Sequence, residues 1–167
     1  MGCALSVRYG ELSFWHSHPA LDWTPRPALS GDLSVDVAIV GGGFTGLWTA
    51  YYLAEADPSL RIAVLERDVA GFGASGRNGG WCSALFPASA AKLARLPGAD
   101  RAGAIAQHRA MCDTVDEIGR VLAAEAIDAD FAKGGTIVLA RTDTGLARAR
   151  AEVEEARAWD RGEDDLR

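Results

Sequence analysis

The chain has 167 residues, of which 49% are hydrophobic and 24% charged, and its formal net charge is −6. This balance is typical of a soluble globular chain with a core of its own, and it excludes a disordered chain or a membrane chain. The negative charge, with no basic stripe to offset it, argues against nucleic acid or an anionic membrane as a partner.

The cysteines are few and scattered. Cys3, Cys82 and Cys112 show no C-x-x-C spacing, which indicates neither a disulfide framework nor a zinc site and favours a reducing compartment. No apolar run reaches the roughly 18 residues of a membrane span, and the start lacks the apolar core of a signal peptide. The opening MGCALS matches the myristoylation pattern at Gly2, but the Ala- and Arg-rich composition looks bacterial. We therefore expect an unmodified chain in the cytoplasm.

Residues 1–34 are predicted to form an N-terminal arm. Residues 13–34 carry three prolines and three aromatic residues without any period, which indicates an extended arm lying over a domain. His16 and His18 stand two apart on it, with Asp22 nearby. A zinc site would need about four ligands, or three and a water, so we expect packed or solvated histidines and no metal.

The arm is followed by a pattern typical of a parallel β-α-β unit. VDVAIV, residues 35–40, is β-branched and almost continuously apolar, as in a strand buried on both faces. Apolar residues then recur at helical spacing until Asp57-Pro58 ends the helix. RIAVLE, residues 61–66, predicts a second buried strand. This order is the start of an α/β fold with a parallel sheet.

The remainder of the chain is predicted to be mainly helical after a long glycine-rich loop at residues 67–81. The predicted elements are helices at 88–96, 100–126 and 144–159, and a β-hairpin over 128–142. Asp100 is the expected cap at the start of the long helix, and Gly162 the expected cap at the end of the last one. Two parallel strands are too few for a doubly wound sheet, so we expect the N-terminal part of a longer protein.

GGGFTG, between the first strand and its helix, carries the G-x-G-x-x-G pattern at Gly41, Gly43 and Gly46. In a dinucleotide site the first glycine permits the sharp turn, the second lets the backbone approach the pyrophosphate, and the third lets the helix pack against the strand. Glu66 ends the next strand about 20 residues further on, where a carboxylate accepts hydrogen bonds from ribose hydroxyls and repels a 2′-phosphate. The pattern predicts an adenine dinucleotide other than NADP, and leaves NAD and FAD open.

A second glycine run, GFGASGRNGGW at residues 71–81, distinguishes these two cofactors. Together with VDVAIVGGGFTGLWTAYYLAE and AVLER, it resembles the FAD-dependent oxidoreductases of the D-amino-acid oxidase type, the superfamily of glycine and sarcosine oxidases. It is most similar to the γ-glutamylputrescine oxidases, and the resemblance covers nearly all of residues 30–167. It implies a Rossmann-like α/β FAD-binding domain of the glutathione-reductase type over 35–167, incomplete, with the start of an α+β substrate domain.

The resemblance also implies which residues contact FAD. Those expected to line the pyrophosphate turn are Gly41, Gly43, Phe44, Thr45 and Gly46, and those expected at the adenosine end are Glu66 and Arg67. Those expected to run along the diphosphate towards the flavin are Gly73, Ala74, Ser75, Arg77, Asn78, Gly79 and Gly80. Exposed amides and a guanidinium suit an anionic linker.

The activity implied by the resemblance is oxidation of a C–N bond in a small amine or amino acid. Hydride passes to the flavin, water hydrolyses the imine, and the reduced flavin is reoxidised, commonly by oxygen with release of hydrogen peroxide. No catalytic residue can be assigned, and we expect the catalytic groups to follow Arg167. His108 is expected to be a surface or core histidine, and Cys82 a packed residue and not a covalent flavin link. Two alternatives stay open, namely an NAD-dependent dehydrogenase and a truncated fragment that binds a nucleotide without turnover.

Overall fold

The computed structural model describes residues 8–18 and 21–162. They belong to two compact units, Met1–Trp81 and Cys82–Arg167. The acylation pattern at Gly2 lies outside the described residues. Within the described ranges, no helix combines the length and the apolar character needed to cross a membrane.

The first unit contains the predicted β-α-β arrangement. Strand β1 (Val37–Val40) and strand β2 (Ile62–Leu65) are parallel, with Val37 opposite Ile62. Helix α1 (Phe44–Ala56) connects them and packs on both. The prediction of two parallel strands joined by a helix is confirmed.

The two strands are less buried than the sequence predicts. Val40 is 86% exposed, and the other residues of β1 alternate between half-buried and exposed. In the described residues the sheet has these two strands and no others, with α1 packed on it. A two-stranded sheet leaves each strand with a free edge, so the expectation of burial on both faces is wrong for this structure.

The second unit is built from helices. Its helices are α2 (Ala90–Leu93), α3 (Arg101–Ala124) and α4 (Asp143–Ala158). Asp100 caps α3 as predicted, because its Oδ1 accepts the amide of Gly103 at 2.7 Å. Thr142 caps α4 in the same way, its Oγ1 accepting the amide of Gly145 at 3.0 Å. Helix α2 is shorter than the predicted 88–96.

The predicted hairpin over 128–142 is wrong, because residues 127–141 form no strand in this structure. Ile137 and Leu139 are 85% and 81% exposed, so their apolar side chains have no covering layer among the described residues. A lone two-stranded hairpin is marginal in water and needs a further strand or a helix against one face. β-Branched residues favour a strand only where such packing exists.

The predicted cap at Gly162 is also wrong, because Asp160 takes the left-handed capping position after the end of α4. Asp160 has a φ of +62°, and its amide donates to the carbonyl of Arg157 at 3.0 Å. The amide of Arg161 reaches the carbonyl of Ala156 at 3.1 Å. These two bonds form a Schellman motif, in which an aspartate takes the left-handed position more often filled by glycine.

Candidate functional site

The first glycine turn leads from β1 into α1. Gly41 has a φ of +106°, which favours glycine, and its amide donates to the carbonyl of Leu65 at 2.8 Å. A Cβ at Gly46 would lie 2.1 Å from the carbonyl oxygen of Gly41. The helix backbone therefore rests directly on the turn, and the first and third glycines have the roles that the pattern predicts.

The N-terminus of α1 presents backbone amides that an anion can bind. The first amides of a helix have no acceptor within it, and the positive end of the helix dipole lies there. Gly43 is the cap residue and has no side chain with which to accept from the amides of Thr45 and Gly46. The amide of Phe44 donates to Ser75 Oγ at 2.9 Å. This end of α1 suits a phosphate group.

The second glycine loop, defined here as residues 71–80, contacts the first turn. The amide of Gly71 donates to the carbonyl of Gly42 at 2.9 Å, and the bond from Phe44 to Ser75 lies beside it. A Cβ at Gly43 would come within 3.0 Å of Ser75 Oγ. The two glycine motifs predicted to bind one diphosphate are thus adjacent in space.

Glu66 lies at the same turn, after the end of β2. Its Oε2 accepts the amide of Gly42 at 2.7 Å, and its Oε1 accepts the amide of Asp68 at 3.1 Å. The bond from Gly42, and then the one from Asp68, hold the pKa of the Glu66 carboxyl below its ordinary value. A carboxylate has about four acceptor positions, so an ionised Glu66 keeps capacity for ribose hydroxyls. Neighbouring Arg67 is exposed, and its Nε donates to the Asp68 carboxylate at 3.0 Å.

The other residues predicted along the diphosphate shape the second glycine loop itself. Arg77 Nε donates to the carbonyl of Phe72 at 2.8 Å, and its guanidinium lies 4.7 Å from the centre of the Phe72 ring. Asn78 donates from Nδ2 to the carbonyl of Ser75 at 2.8 Å and accepts the amide of Gly80 at 2.7 Å. The members of the predicted set that are exposed are Gly73, Ala74, Arg77, Asn78, Gly79 and Gly80.

Sequence reasoning missed several residues that build the site. Gly42 and Gly71 form the backbone contact between the two glycine motifs, and the positive φ of Gly71, +76°, is consistent with its being a glycine. Ser13 and Trp15 of the arm donate to carbonyls of the second glycine loop. The concentration of aromatic and histidine residues in SFWHSH is the one local signal that these residues have a partner.

The sequence also singled out Cys82, His108 and His16 as candidates. Cys82 is exposed, so the expectation that it is packed is wrong. His108 is half-buried in α3, with Nε2 3.6 Å from the sulfur of Cys112. His16 is packed, at 2% exposure.

Comparison with known proteins places the chain among flavoproteins. Residues 36–166 match the DAO family, described as FAD-dependent oxidoreductases. Gamma-glutamylputrescine oxidoreductase of Escherichia coli strain K12 is 33% identical over 149 residues, which are 89% of this chain and 33% of that protein. The probable oxidoreductase OrdL of Haemophilus influenzae is 33% identical over 108 residues, 65% of this chain and 24% of that protein. Sarcosine oxidase subunit beta of Rhizobium meliloti is 56% identical over 43 residues, 26% of this chain and 10% of that protein.

The chain spans a third or less of the length of each of these three relatives. No solved structure matches it significantly. The family match nevertheless includes β1, α1, β2 and both glycine motifs, and the cofactor of the family is FAD. By this match the chain belongs to the DAO family of FAD-dependent oxidoreductases.

Proposed function

We propose that the chain forms the FAD-binding part of an enzyme that oxidises a C–N bond of a small amine or amino acid. FAD, when bound, supplies the electron-accepting chemistry. The observation that carries the proposal is the contact between the two glycine motifs at the N-terminus of α1, within the segment that matches the family. We further propose that the fold is the Rossmann-like subtype, with an arm at 1–34 and the FAD-binding part at 35–167.

The proposed role of the first turn is to bind the diphosphate of FAD. The amides at the start of α1 provide donors and the helix dipole provides positive potential. The close approach of Gly43 to Ser75 Oγ leaves no room for a larger side chain at the centre of the turn. The residues proposed to line this part of the site are Gly41, Gly43, Phe44, Thr45 and Gly46.

The proposed role of Glu66 is to accept hydrogen bonds from the hydroxyls of the adenosine ribose, with Arg67 beside it. A lowered pKa keeps the Glu66 carboxyl ionised, so it acts as an acceptor and repels a 2′-phosphate. The residues proposed to continue along the diphosphate towards the flavin are Gly73, Ala74, Ser75, Arg77, Asn78, Gly79 and Gly80.

The amine substrate is proposed from the relatives. The names of two of them specify gamma-glutamylputrescine and sarcosine, which are both aliphatic amines. We assign no catalytic residue among those described. An NAD-dependent dehydrogenase is disfavoured, because the family match is to FAD-dependent enzymes and includes the second glycine loop. We also propose a reducing compartment such as the cytoplasm, because the three cysteines of the sequence are few and show no C-x-x-C spacing.

The proposal is tested by titrating the purified chain with FAD and following flavin fluorescence. We expect saturable binding that Gly43→Val weakens by about tenfold or more, because its side chain meets Ser75 Oγ and fills the approach of the diphosphate. Gly31→Val is the matched control, since a Cβ there meets nothing within 4 Å. A folded chain that binds NAD and ignores FAD would show the proposal to be wrong.

A side chain at position 43 could weaken FAD binding by obstructing the diphosphate or by distorting the second glycine loop, and a pair of variants distinguishes the two effects. Gly43→Ala brings a methyl group to within 3.0 Å of Ser75 Oγ, while Ser75 Cβ is 3.8 Å away. The double variant Gly43→Ala, Ser75→Ala removes the closer atom. Its reference is Ser75→Ala alone, because Ser75 Oγ accepts the amide of Phe44 and belongs to the proposed site. If the added methyl also obstructs the diphosphate, the double variant binds FAD more weakly than Ser75→Ala does, although their melting temperatures agree. Equal FAD affinity and equal melting temperature would indicate that position 43 acts only through loop packing.

A further inference from the structure

Three residues of the arm, Ser13, Trp15 and His16, contact the second glycine loop, and we refer to them as the arm turn. Ser13 Oγ donates to the carbonyl of Gly76 at 3.0 Å and lies 2.6 Å from His16 Nδ1. A hydroxyl has a single proton, and Ser13 uses it in the hydrogen bond to the Gly76 carbonyl. In the second bond Ser13 Oγ is therefore the acceptor, and the Nδ1–H of His16 is the donor. His16 therefore orients the hydroxyl that holds the loop carbonyl.

Trp15 makes a second contact with the same loop. Its Nε1 donates to the carbonyl of Asn78 at 2.5 Å. Its ring covers Gly80, where a Cβ would lie 3.0 Å from two ring atoms and where φ is +76°. Glycine at position 80 thus serves both the backbone conformation and the close approach of the indole.

Packing of the fold does not by itself explain why a histidine is buried at position 16. It is 2% exposed and stacks on Trp23 at 4.4 Å between ring centres. Its Cε1 would lie 3.0 Å from a Cβ at Gly76. Among the described residues its Nε2 has no hydrogen-bond partner, and a buried unpaired nitrogen is unfavourable. A phenyl ring would fill the same space without an unpaired nitrogen, so the hydrogen bond to Ser13 explains why position 16 has an imidazole.

We propose that the arm turn is a strap that holds the second glycine loop in the conformation that binds FAD, with Ser13, Trp15 and His16 as positioning residues. This inference rests on the proposed function for its effect on FAD. The contacts at Gly76 and Asn78 lie on either side of Arg77, which is proposed to contact the cofactor.

A glycine-rich loop needs such a strap because its free conformations are numerous. The segment 67–81 contains five glycines, and each ordered glycine loses more conformational freedom than other residues do. A ligand that binds only the ordered loop has its affinity reduced by the fraction of time for which the loop is ordered. Contacts from the arm raise that fraction without touching the ligand.

In the variants His16→Phe and Ser13→Ala, the order of the loop and the affinity for FAD are measured in separate experiments. Hydrogen–deuterium exchange of residues 71–81 is followed without FAD, and FAD is then titrated by fluorescence. We expect faster exchange in that segment and FAD binding weakened by about tenfold. His16→Asn retains a side-chain N–H near the position of Nδ1 and should recover most of both. Glu11→Gln, which breaks only an exposed ion pair with Arg8, is the control on the same arm.

Trp15→Phe keeps the proposal testable if His16→Phe fails to fold. It removes the donor to Asn78 and retains an aromatic ring over Gly80, so exchange should rise mainly near the C-terminal end of the loop. If His16 only fills space, His16→Phe removes an unpaired nitrogen and disturbs nothing else. Amide exchange and FAD affinity should then be unchanged, and the melting temperature should be equal or higher. That result would overturn the proposal, as would faster exchange with unchanged FAD affinity in variants of a chain that does bind FAD.

If the unaltered chain itself ignores FAD, the proposed function fails. Loss of amide protection in the same variants would still support the strap, so the two failures are distinguishable.

Discussion

Glu66 closes the first glycine turn, since its Oε2 accepts the backbone amide of Gly42 at 2.7 Å. The acid proposed to bind the ribose is therefore also an acceptor that holds the turn. The bond from Gly42 is the largest cause of the lowered pKa of Glu66. Changing this side chain should affect both the turn and the nucleotide.

Glu66→Gln should weaken FAD binding by about tenfold, because the amide side chain loses the charge and has a single acceptor oxygen. It should also reduce discrimination between ADP and 2′,5′-ADP, since a neutral side chain no longer repels the 2′-phosphate. Competition of both nucleotides against FAD measures this. Glu55→Gln, at an exposed position of α1, is the charge-matched control. Equal behaviour of the two variants would exclude Glu66 from the site.

The stability of the chain should fall in acid. A carboxyl whose pKa is lowered by folding stabilises the folded state at pH values above its unfolded pKa, and that contribution is lost as pH falls through the folded value. The bond from Gly42 lowers the pKa of Glu66, the side-chain bond to Arg61 lowers that of Asp36, and Ser59 lowers that of Asp57.

Denaturant titrations between about pH 7 and pH 3 should therefore show a plateau and then a decline that begins at about pH 5 and steepens below about pH 4.3, where glutamates of the unfolded chain are half protonated. In Glu66→Gln the decline should be shallower, while Glu55→Gln should follow the unaltered chain. A Glu66→Gln curve parallel to that of the unaltered chain would contradict the assignment.

Gly46→Ala and Gly103→Ala should have opposite effects, although both glycines are the third residue of a helix. The Cβ at position 46 would lie 2.1 Å from the backbone oxygen of Gly41, which cannot move without opening the turn. At position 103 the nearest atom is Asp100 Oδ1 at 3.4 Å, an ordinary contact. We expect Gly46→Ala to lower the free energy of unfolding by about 1–3 kcal/mol.

Gly103→Ala should raise the free energy of unfolding by up to about 1 kcal/mol, because alanine restricts the unfolded chain more than glycine does. Urea denaturation measures both variants. Equal destabilisation of the two would mean that the first turn tolerates a side chain at position 46.

Substitutions at Asp160 and Gly162 test which of the two residues caps the C-terminal end of α4. Gly162 has no positive φ, and a Cβ there meets nothing within 4 Å, so Gly162→Ala should change stability by less than about 0.5 kcal/mol. Asp160→Ala places alanine in the left-handed region and should cost about 1–2 kcal/mol. Asp160→Asn should cost less, since asparagine tolerates that region. Thermal unfolding followed by circular dichroism gives the comparison, and a loss at Gly162→Ala would reverse the assignment.

The β-α-β unit could be predicted from the sequence because its determinants are local. A run of β-branched residues, three spaced glycines and a stop at Asp57-Pro58 each act within a few residues of where they stand. The cap at Asp100 is equally local, since its side chain bonds an amide three residues away. The hairpin over 128–142 failed for the converse reason. Ile137 and Val138 are β-branched and have strand propensity, but a strand forms only where a neighbour pairs with it.

The sequence by itself determined that two glycine-rich turns follow two strands and that an acidic residue comes at the carboxyl end of the second strand. Only the tertiary structure decided how these parts contact one another. The bond from Phe44 to Ser75 joins residues 31 positions apart, and the one from Trp15 to Asn78 joins residues 63 positions apart. Such contacts leave no periodic signal in the chain, because their geometry arises when the folded backbone brings distant turns together.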